Sequence, residues 1–132
     1  MAQTYTLVRL VGFDTESHRS NLALIEFVED YLGGHGIDST RVYDDTGEKA
    51  ALYAQIGPAA PGGVILSGHT DVVPVAGQDW TSDPYTLREA DGRLYGRGAA
   101  DMKGFLAVCL AAAPRMRAAG LTRPIQLALS YD

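Results

Sequence analysis

Two apolar stretches with strand character, separated by a helical one, constrain this chain more than any other feature. Val64-Ile65-Leu66 is a short continuous apolar run, the pattern of a strand buried on both faces of a sheet. Ile125–Tyr131 alternates Ile125, Leu127, Leu129 and Tyr131 with Gln126, Ala128 and Ser130, which reads as a second strand. Between them Met102–Ala119 has the Ala and Leu content of a helix, with Gly120 to end it. Pro114 inside that stretch is expected to cost a hydrogen bond and to kink or break the helix. A strand, a crossover containing a helix and another apolar strand predict a parallel pair. Ligand sites in such sheets form beyond the carboxyl ends of the parallel strands. Gly68-His69-Thr70-Asp71 and Asp132 are the two segments that reach that edge.

The remaining elements complete an α/β chain. Ser20–Leu32 places Leu22, Leu24, Ile25, Phe27, Val28, Tyr31 and Leu32 at helical spacing, and Gly33-Gly34 should end it. Strand-like runs at Ser39–Tyr43 and Ala51–Ile56 flank Asp44-Asp45-Thr46-Gly47 and predict a hairpin. A second hairpin is expected where Thr86–Glu89 and Arg93–Tyr95 flank Asp91-Gly92. The expected fold is a mixed, mostly parallel sheet flanked by helices.

Composition narrows the function classes. A length of 132 residues suits one domain, and 46% hydrophobic with 20% charged residues is ordinary for a globular protein. The formal charge of −5 disfavours nucleic acid as a partner, because no Lys/Arg cluster offers a phosphate site. The single cysteine, Cys109, excludes an intrachain disulfide framework and fits a reducing compartment. The N-terminus lacks a signal-peptide pattern, and no apolar run approaches bilayer length. A cytoplasmic protein without a membrane partner is the expectation.

Chemistry concentrates in two segments. His69 and Asp71 stand two apart beyond a strand, so in extended backbone their side chains share a side. An imidazole that ligates a metal needs an acceptor for its other N–H, and a nearby carboxylate supplies one. Alone, His-x-Asp is short and common, and a strand cap with a loop-satisfying Asp is the plainer reading. In Gly96-Arg97-Gly98-Ala99-Ala100-Asp101-Met102-Lys103-Gly104 the glycines permit a tight turn, and Asp101 precedes a helix. There Asp101 is either the helix N-cap or a carboxylate aimed at His69. Elsewhere His18 and His35 read as solvated, Cys109 as an inert core thiol and Trp80 as a loop anchor. Arg97 and Lys103 read as loop-bonded or solvated. Arg115, Arg117 and Arg123 lie near a helix end, where the helix dipole favours cations.

Taken together, Ser67-Gly68-His69-Thr70-Asp71-Val72-Val73-Pro74, Trp80, Asp83-Pro84-Tyr85, Asp91-Gly92-Arg93-Leu94-Tyr95-Gly96-Arg97-Gly98 and Asp101-Met102-Lys103-Gly104 closely resemble one family. It is the two-zinc metallopeptidase family that holds acetylornithine deacetylases, succinyl-diaminopimelate desuccinylases, aminoacylases and glutamate carboxypeptidases. The resemblance covers most of the chain and implies a zinc-exopeptidase-like catalytic domain, of which residues 1–132 would be the N-terminal part. It implies that His69 binds one metal, Asp101 bridges two, and Asp71 is the catalytic residue that holds the imidazole. Zinc suits this His and carboxylate set, and cobalt or manganese also fit.

Within the family, Tyr43-Asp44-Asp45-Thr46-Gly47, Gln55-Ile56-Gly57-Pro58, Asp83-Pro84-Tyr85 and Gly104-Phe105 look like the acetylornithine-deacetylase branch. The implied substrate is a small N-acyl amino acid, and the implied reaction is N-acetyl-L-ornithine hydrolysis to L-ornithine and acetate in arginine biosynthesis. Succinyl-diaminopimelate desuccinylation and related aminoacylase or carboxypeptidase chemistry are the alternatives. The family's general base, its remaining ligands and its inserted dimerisation domain would follow Asp132. A homodimer is thus expected of a full-length enzyme, and the 132-residue chain alone is expected to be inactive. A non-catalytic module is the reading of another class.

Overall fold

In the computed structural model, which describes residues 1–132, the chain begins with α1 (Ala2–Val11) and α2 (Leu22–Gly34). Strands β1 (Ser39–Tyr43), β2 (Ala50–Ile56) and β3 (Val64–His69) follow, then β4 (Arg88–Ala90) and β5 (Arg93–Tyr95). A kinked turn over Ala99–Lys103, non-helical at Asp101 and Met102, leads into α3 (Gly104–Ala118), and β6 (Ile125–Ser130) comes last. The main sheet has the order β1-β2-β6-β3. β3 and β6 are parallel, with Leu66 opposite Leu127 and His69 opposite Ser130. β2 is antiparallel to both its neighbours, so β1, β6 and β3 share one direction and β2 reverses it. The fold is the mixed α/β sheet expected from the sequence.

The alternation of strand residues decides which face is covered. Ala50, Leu52, Ala54 and Ile56 of β2 and Leu127 and Leu129 of β6 are buried. They join Leu24, Ile25, Val28 and Leu32 of α2 and Leu106 and Leu110 of α3 in one core. The opposite face carries Val42 and Tyr53, both exposed. β3 departs from the expected strand buried on both faces: Val64 and Ile65 are 56% and 61% exposed. The reason is position, since β3 is the outer strand of a sheet covered on one side. Gly68 is needed there, because a Cβ would lie 2.8 Å from Leu106 Cδ2 and 2.9 Å from Met102 Cε.

Both predicted hairpins form, with β1 on β2 and β4 on β5. Asp91 and Gly92 have φ of 51° and 70°, the positive pair of a primed hairpin turn. α1 has no counterpart among the predicted elements, although Leu7, Leu10 and Val11 sit at helical spacing and all are buried.

Of the kink or break expected at Pro114, the break does not occur, and α3 runs through it. Proline has no N–H to give the carbonyl four residues back, which is that of Leu110. The Tyr31 hydroxyl donates to that oxygen instead, at 2.8 Å. Burial raises the Tyr31 phenol above its usual pKa, so it stays a donor. Tyr31→Phe should therefore lower stability by about 1 kcal/mol. In a Pro114→Ala background, where the helix N–H is restored, denaturant unfolding should show the cost of the same change falling close to zero. Equal costs in both backgrounds would contradict this account.

Lys103 is fully buried and loop-bonded, one of its two expected placements, and is not solvated. Its Nζ donates to Phe13 O at 2.7 Å and ties the end of α1 to the turn before α3. Burial pushes its pKa down to about 8, with the Asp14 charge opposing. Between about 8 and the unfolded value of about 10.4 the folded chain binds fewer protons than the unfolded one. The Lys103 contribution to stability therefore rises with pH across that window. The stability of the unsubstituted chain relative to Lys103→Met should climb from neutral pH to about pH 10. A difference that stays flat with pH would show that Lys103 titrates normally.

Candidate metal centre

The strand pairing continues one residue past β3 and fixes the segment that carries the site. Thr70 N donates to Ser130 O at 2.8 Å, and Thr70 Oγ1 donates to the same oxygen at 3.0 Å. Thr70 is wholly buried, and the buried Asn21 donates to its hydroxyl at 2.9 Å. Asn21 also bonds both backbone groups of Ala50, which joins the start of α2 to β2. The Thr15 hydroxyl donates to Thr70 O at 2.6 Å. With Thr70 turned into this network, its neighbours His69 and Asp71 face the other way.

There the three sequence-predicted site residues meet. His69 Nδ1 is hydrogen-bonded to the Asp71 backbone carbonyl at 3.0 Å, with Asp71 Oδ1 also 2.9 Å away, and His69 Nε2 lies 2.9 Å from Asp101 Oδ1. The Asp71 side chain is 21% exposed and that of Asp101 87%, so one carboxylate is packed and the other faces solvent. Asp101 is not an N-cap: Lys103 occupies that position of α3, and neither it nor the turn over Ala99–Lys103 has a side-chain cap bond. The turn is made possible by Gly98, whose φ is 79° and where a Cβ would lie 2.5 Å from Val72 Cγ1. With Arg97, the three residues line a cleft of about 200 Å³.

Electrostatics follow from the Asp71 backbone carbonyl and the two carboxylates. Burial is the largest single influence on His69 and pulls its pKa down. The hydrogen bonds and charges of Asp71 and Asp101 together outweigh it and leave the imidazole above its usual value. Without a cation between them, both ring nitrogens face carboxylate oxygens, which favours the doubly protonated ring. A cation on the Nε2 side would replace that proton.

The donors suit a divalent ion but supply only part of its ligand set. Imidazole nitrogen and carboxylate oxygen are ordinary zinc ligands, and two such donors on one ion with bonds of about 2.0–2.1 Å lie roughly 3.3 Å apart in tetrahedral geometry. The 2.9 Å between His69 Nε2 and Asp101 Oδ1 needs only a small opening to match. No group of three or more His, Cys, Asp or Glu side chains is arranged to hold an ion. The residues fit one edge of a metal site.

Several contributors were beyond sequence reasoning. Ser17 Oγ donates to Asp71 Oδ2 at 2.5 Å across 54 positions, and nothing local in the sequence marks it. Glu16 is buried and accepts from the Tyr85 hydroxyl at 2.6 Å, which is the chief cause of its lowered pKa. Lys49 Nζ reaches Asp132 Oδ1 at 3.3 Å and brings the start of β2 to the same edge. The other predicted placements are as expected: Cys109 is buried, the His18 side chain is 61% exposed, and Trp80 packs with the Arg97 guanidinium 5.2 Å from its ring centre.

Residues 65–132 match the model of Peptidase family M20/M25/M40. Acetylornithine deacetylase of Proteus mirabilis is 40% identical over 121 residues, which is 90% of this chain and 31% of that protein. The acetylornithine deacetylase of Yersinia pseudotuberculosis is 40% identical over 124 residues, with 90% and 32% covered. The chain thus spans about a third of the length of these relatives. Among solved structures, human carnosine dipeptidase 1 superposes with a TM-score of 0.80 at 28% identity, covering 98% of this chain and 31% of that one. The M20 family metallo-carboxypeptidase Sso-CP2 of Sulfolobus solfataricus gives 0.84 at 22% identity, covering 98% and 30%, a likeness of fold. The signature segments around His69 and Asp101 lie inside the matched residues, and the chain belongs to peptidase family M20/M25/M40, a family of metal-dependent hydrolases.

Proposed function

We propose that this chain supplies the first half of a two-metal amidohydrolase site, with His69 and Asp101 as metal ligands and Asp71 as the group that holds the His69 ring. The meeting of these three side chains beyond the parallel β3–β6 pair carries the reading. Divalent cations, most suitably zinc, supply Lewis-acid polarisation of an amide carbonyl and make a water acidic near neutral pH. The chain's own groups do the holding. Asp71 accepts the Nδ1 proton of His69 on its backbone carbonyl, with its carboxylate charge beside the same nitrogen, and so leaves Nε2 free to donate its lone pair. Asp101, exposed at the cleft, has a second carboxylate oxygen available to a second ion. Asp132, beyond β6, reaches the same sheet edge, and the rest of the site is proposed to come from residues after it.

The proposed substrate is a small N-acyl amino acid, and N-acetyl-L-ornithine is the first choice. The support is the 40% identity to acetylornithine deacetylases, together with Asp83-Pro84-Tyr85 and Gly104-Phe105 in the chain. The proposed setting is cytoplasmic arginine biosynthesis, with a homodimer as the working form of a full-length enzyme. No helix is long and apolar enough to cross a membrane.

Two outcomes are expected. The 132-residue chain with added zinc should bind the ion weakly and release no ornithine from N-acetylornithine. His69→Ala and Asp101→Ala should each weaken that binding at least about tenfold in calorimetry. Ornithine release by the 132-residue chain would refute the division of the site. A protein that joins this chain to the rest of the relatives' length should hydrolyse N-acetylornithine in preference to N-succinyl-diaminopimelate. The reverse preference would move it to the desuccinylase branch.

A further inference from the structure

We infer that Ser17 is a positioning residue of this site, acting on the His69 ring through Asp71; this rests on the metal-ligand reading above. The observation is a continuous chain of short contacts. The Ser17 hydroxyl donates to Asp71 Oδ2 at 2.5 Å, Asp71 faces His69 Nδ1 with its carbonyl oxygen at 3.0 Å and its Oδ1 at 2.9 Å, and His69 Nε2 faces the cleft beside Asp101. A carboxylate bonded only through Oδ1 remains free to rotate about its Cβ–Cγ bond. Bonded at both oxygens, its plane is fixed, and with it the direction of the Nδ1–H bond.

The Ser17 side chain is exposed, so its position needs a cause other than packing, and the backbone provides it. Ser17 N donates to Val72 O at 3.0 Å, and Val72 N donates to Thr15 O at 3.0 Å. Thr15–Ser17 and Val72 thereby form a one-residue parallel bridge directly after Asp71. Lys49 Nζ donates to Ser17 O and holds the serine from its other side. The hydroxyl and the carboxylate are thus mounted on the same paired backbone. The competing acceptor for the hydroxyl, Val72 O, is farther away at 3.4 Å.

This arrangement decides between two neutral forms of the His69 ring. Asp71 favours the proton on Nδ1, and Asp101 favours it on Nε2. Only the first leaves Nε2 ready for a cation. The Asp71 carbonyl at 3.0 Å already favours that form, and Ser17 strengthens the bias by keeping the charged Oδ1 of Asp71 beside Nδ1.

The test uses the 132-residue chain, Ser17→Ala, Ser17→Cys and Ser17→Thr, with amide spectra to establish folding. Imidazole 15N shifts at alkaline pH report the neutral tautomer without metal, and calorimetry reports zinc affinity. Ser17→Ala is expected to shift His69 toward the Nε2–H form and weaken zinc binding about tenfold. Ser17→Cys, which should fold if the Ala variant does not, is expected to move both readouts in the same direction. Ser17→Thr, which keeps the hydroxyl, is expected to restore both. Unchanged tautomer and affinity in a folded variant would overturn the inference and leave the metal-ligand reading standing. Weaker zinc binding with an unchanged tautomer would also overturn it, since it would mark a merely structural role. A tautomer shift in a chain that binds no zinc would uphold the Ser17 inference and remove the metal-ligand reading.

Discussion

Thr70 is the small buried residue on which the site's geometry turns. It lies between His69 and Asp71, and its hydroxyl and amide both bond Ser130 O, which extends the β3–β6 pairing past the last strand residue. Asn21 and Thr15 complete its contacts from the N-terminal third of the chain. A buried hydroxyl with these partners is costly to displace, because each lost bond would leave a polar group unpaired out of water. The side chains on either side of it therefore have one orientation. The parallel pair at the β3 edge of the sheet, the start of α2 and the loop after α1 all converge on that residue.

The rest of the architecture serves the approach of Asp101. The close contact of Gly68 with Met102 and Leu106 brings the turn before α3 against the end of β3. Lys103, buried and bonded to Phe13 O, holds the same turn from the α1 side. A lysine there has an electrostatic cost, visible in a pKa pushed down to about 8. In return, an exposed aspartate is presented to a half-buried histidine from a segment anchored at both ends.

Much of this was legible in the sequence because it is written in local periodicity and short motifs. The parallel pair followed from two apolar strands around a helix, and both hairpins from their turn residues. The grouping of His69, Asp71 and Asp101 needed the two signature segments together, since Asp101 alone reads equally well as a cap. What escaped depends on contacts far apart in the chain. Ser17 meets Asp71 across 54 positions, and Asn21 meets Thr70 across 49, with no periodic signal in either case. The Leu110 carbonyl left free by Pro114 in α3 is likewise met by a hydroxyl 79 positions before it, that of Tyr31. The exposure of Val64 and Ile65 was missed for another reason, since an apolar run does not say whether its strand is central or outermost.

The central claim is that His69 and Asp101 share a metal ion while Asp71 holds the ring from behind. Crystals of the 132-residue chain grown with zinc, with diffraction recorded on both sides of the zinc absorption edge, test it directly. The account predicts an anomalous peak within bonding distance of His69 Nε2 and an Asp101 carboxylate oxygen, with Asp71 on Nδ1 and off the metal. A peak bonded to Asp71 in place of Asp101, or bound zinc that leaves the His69–Asp101 contact intact, would contradict it.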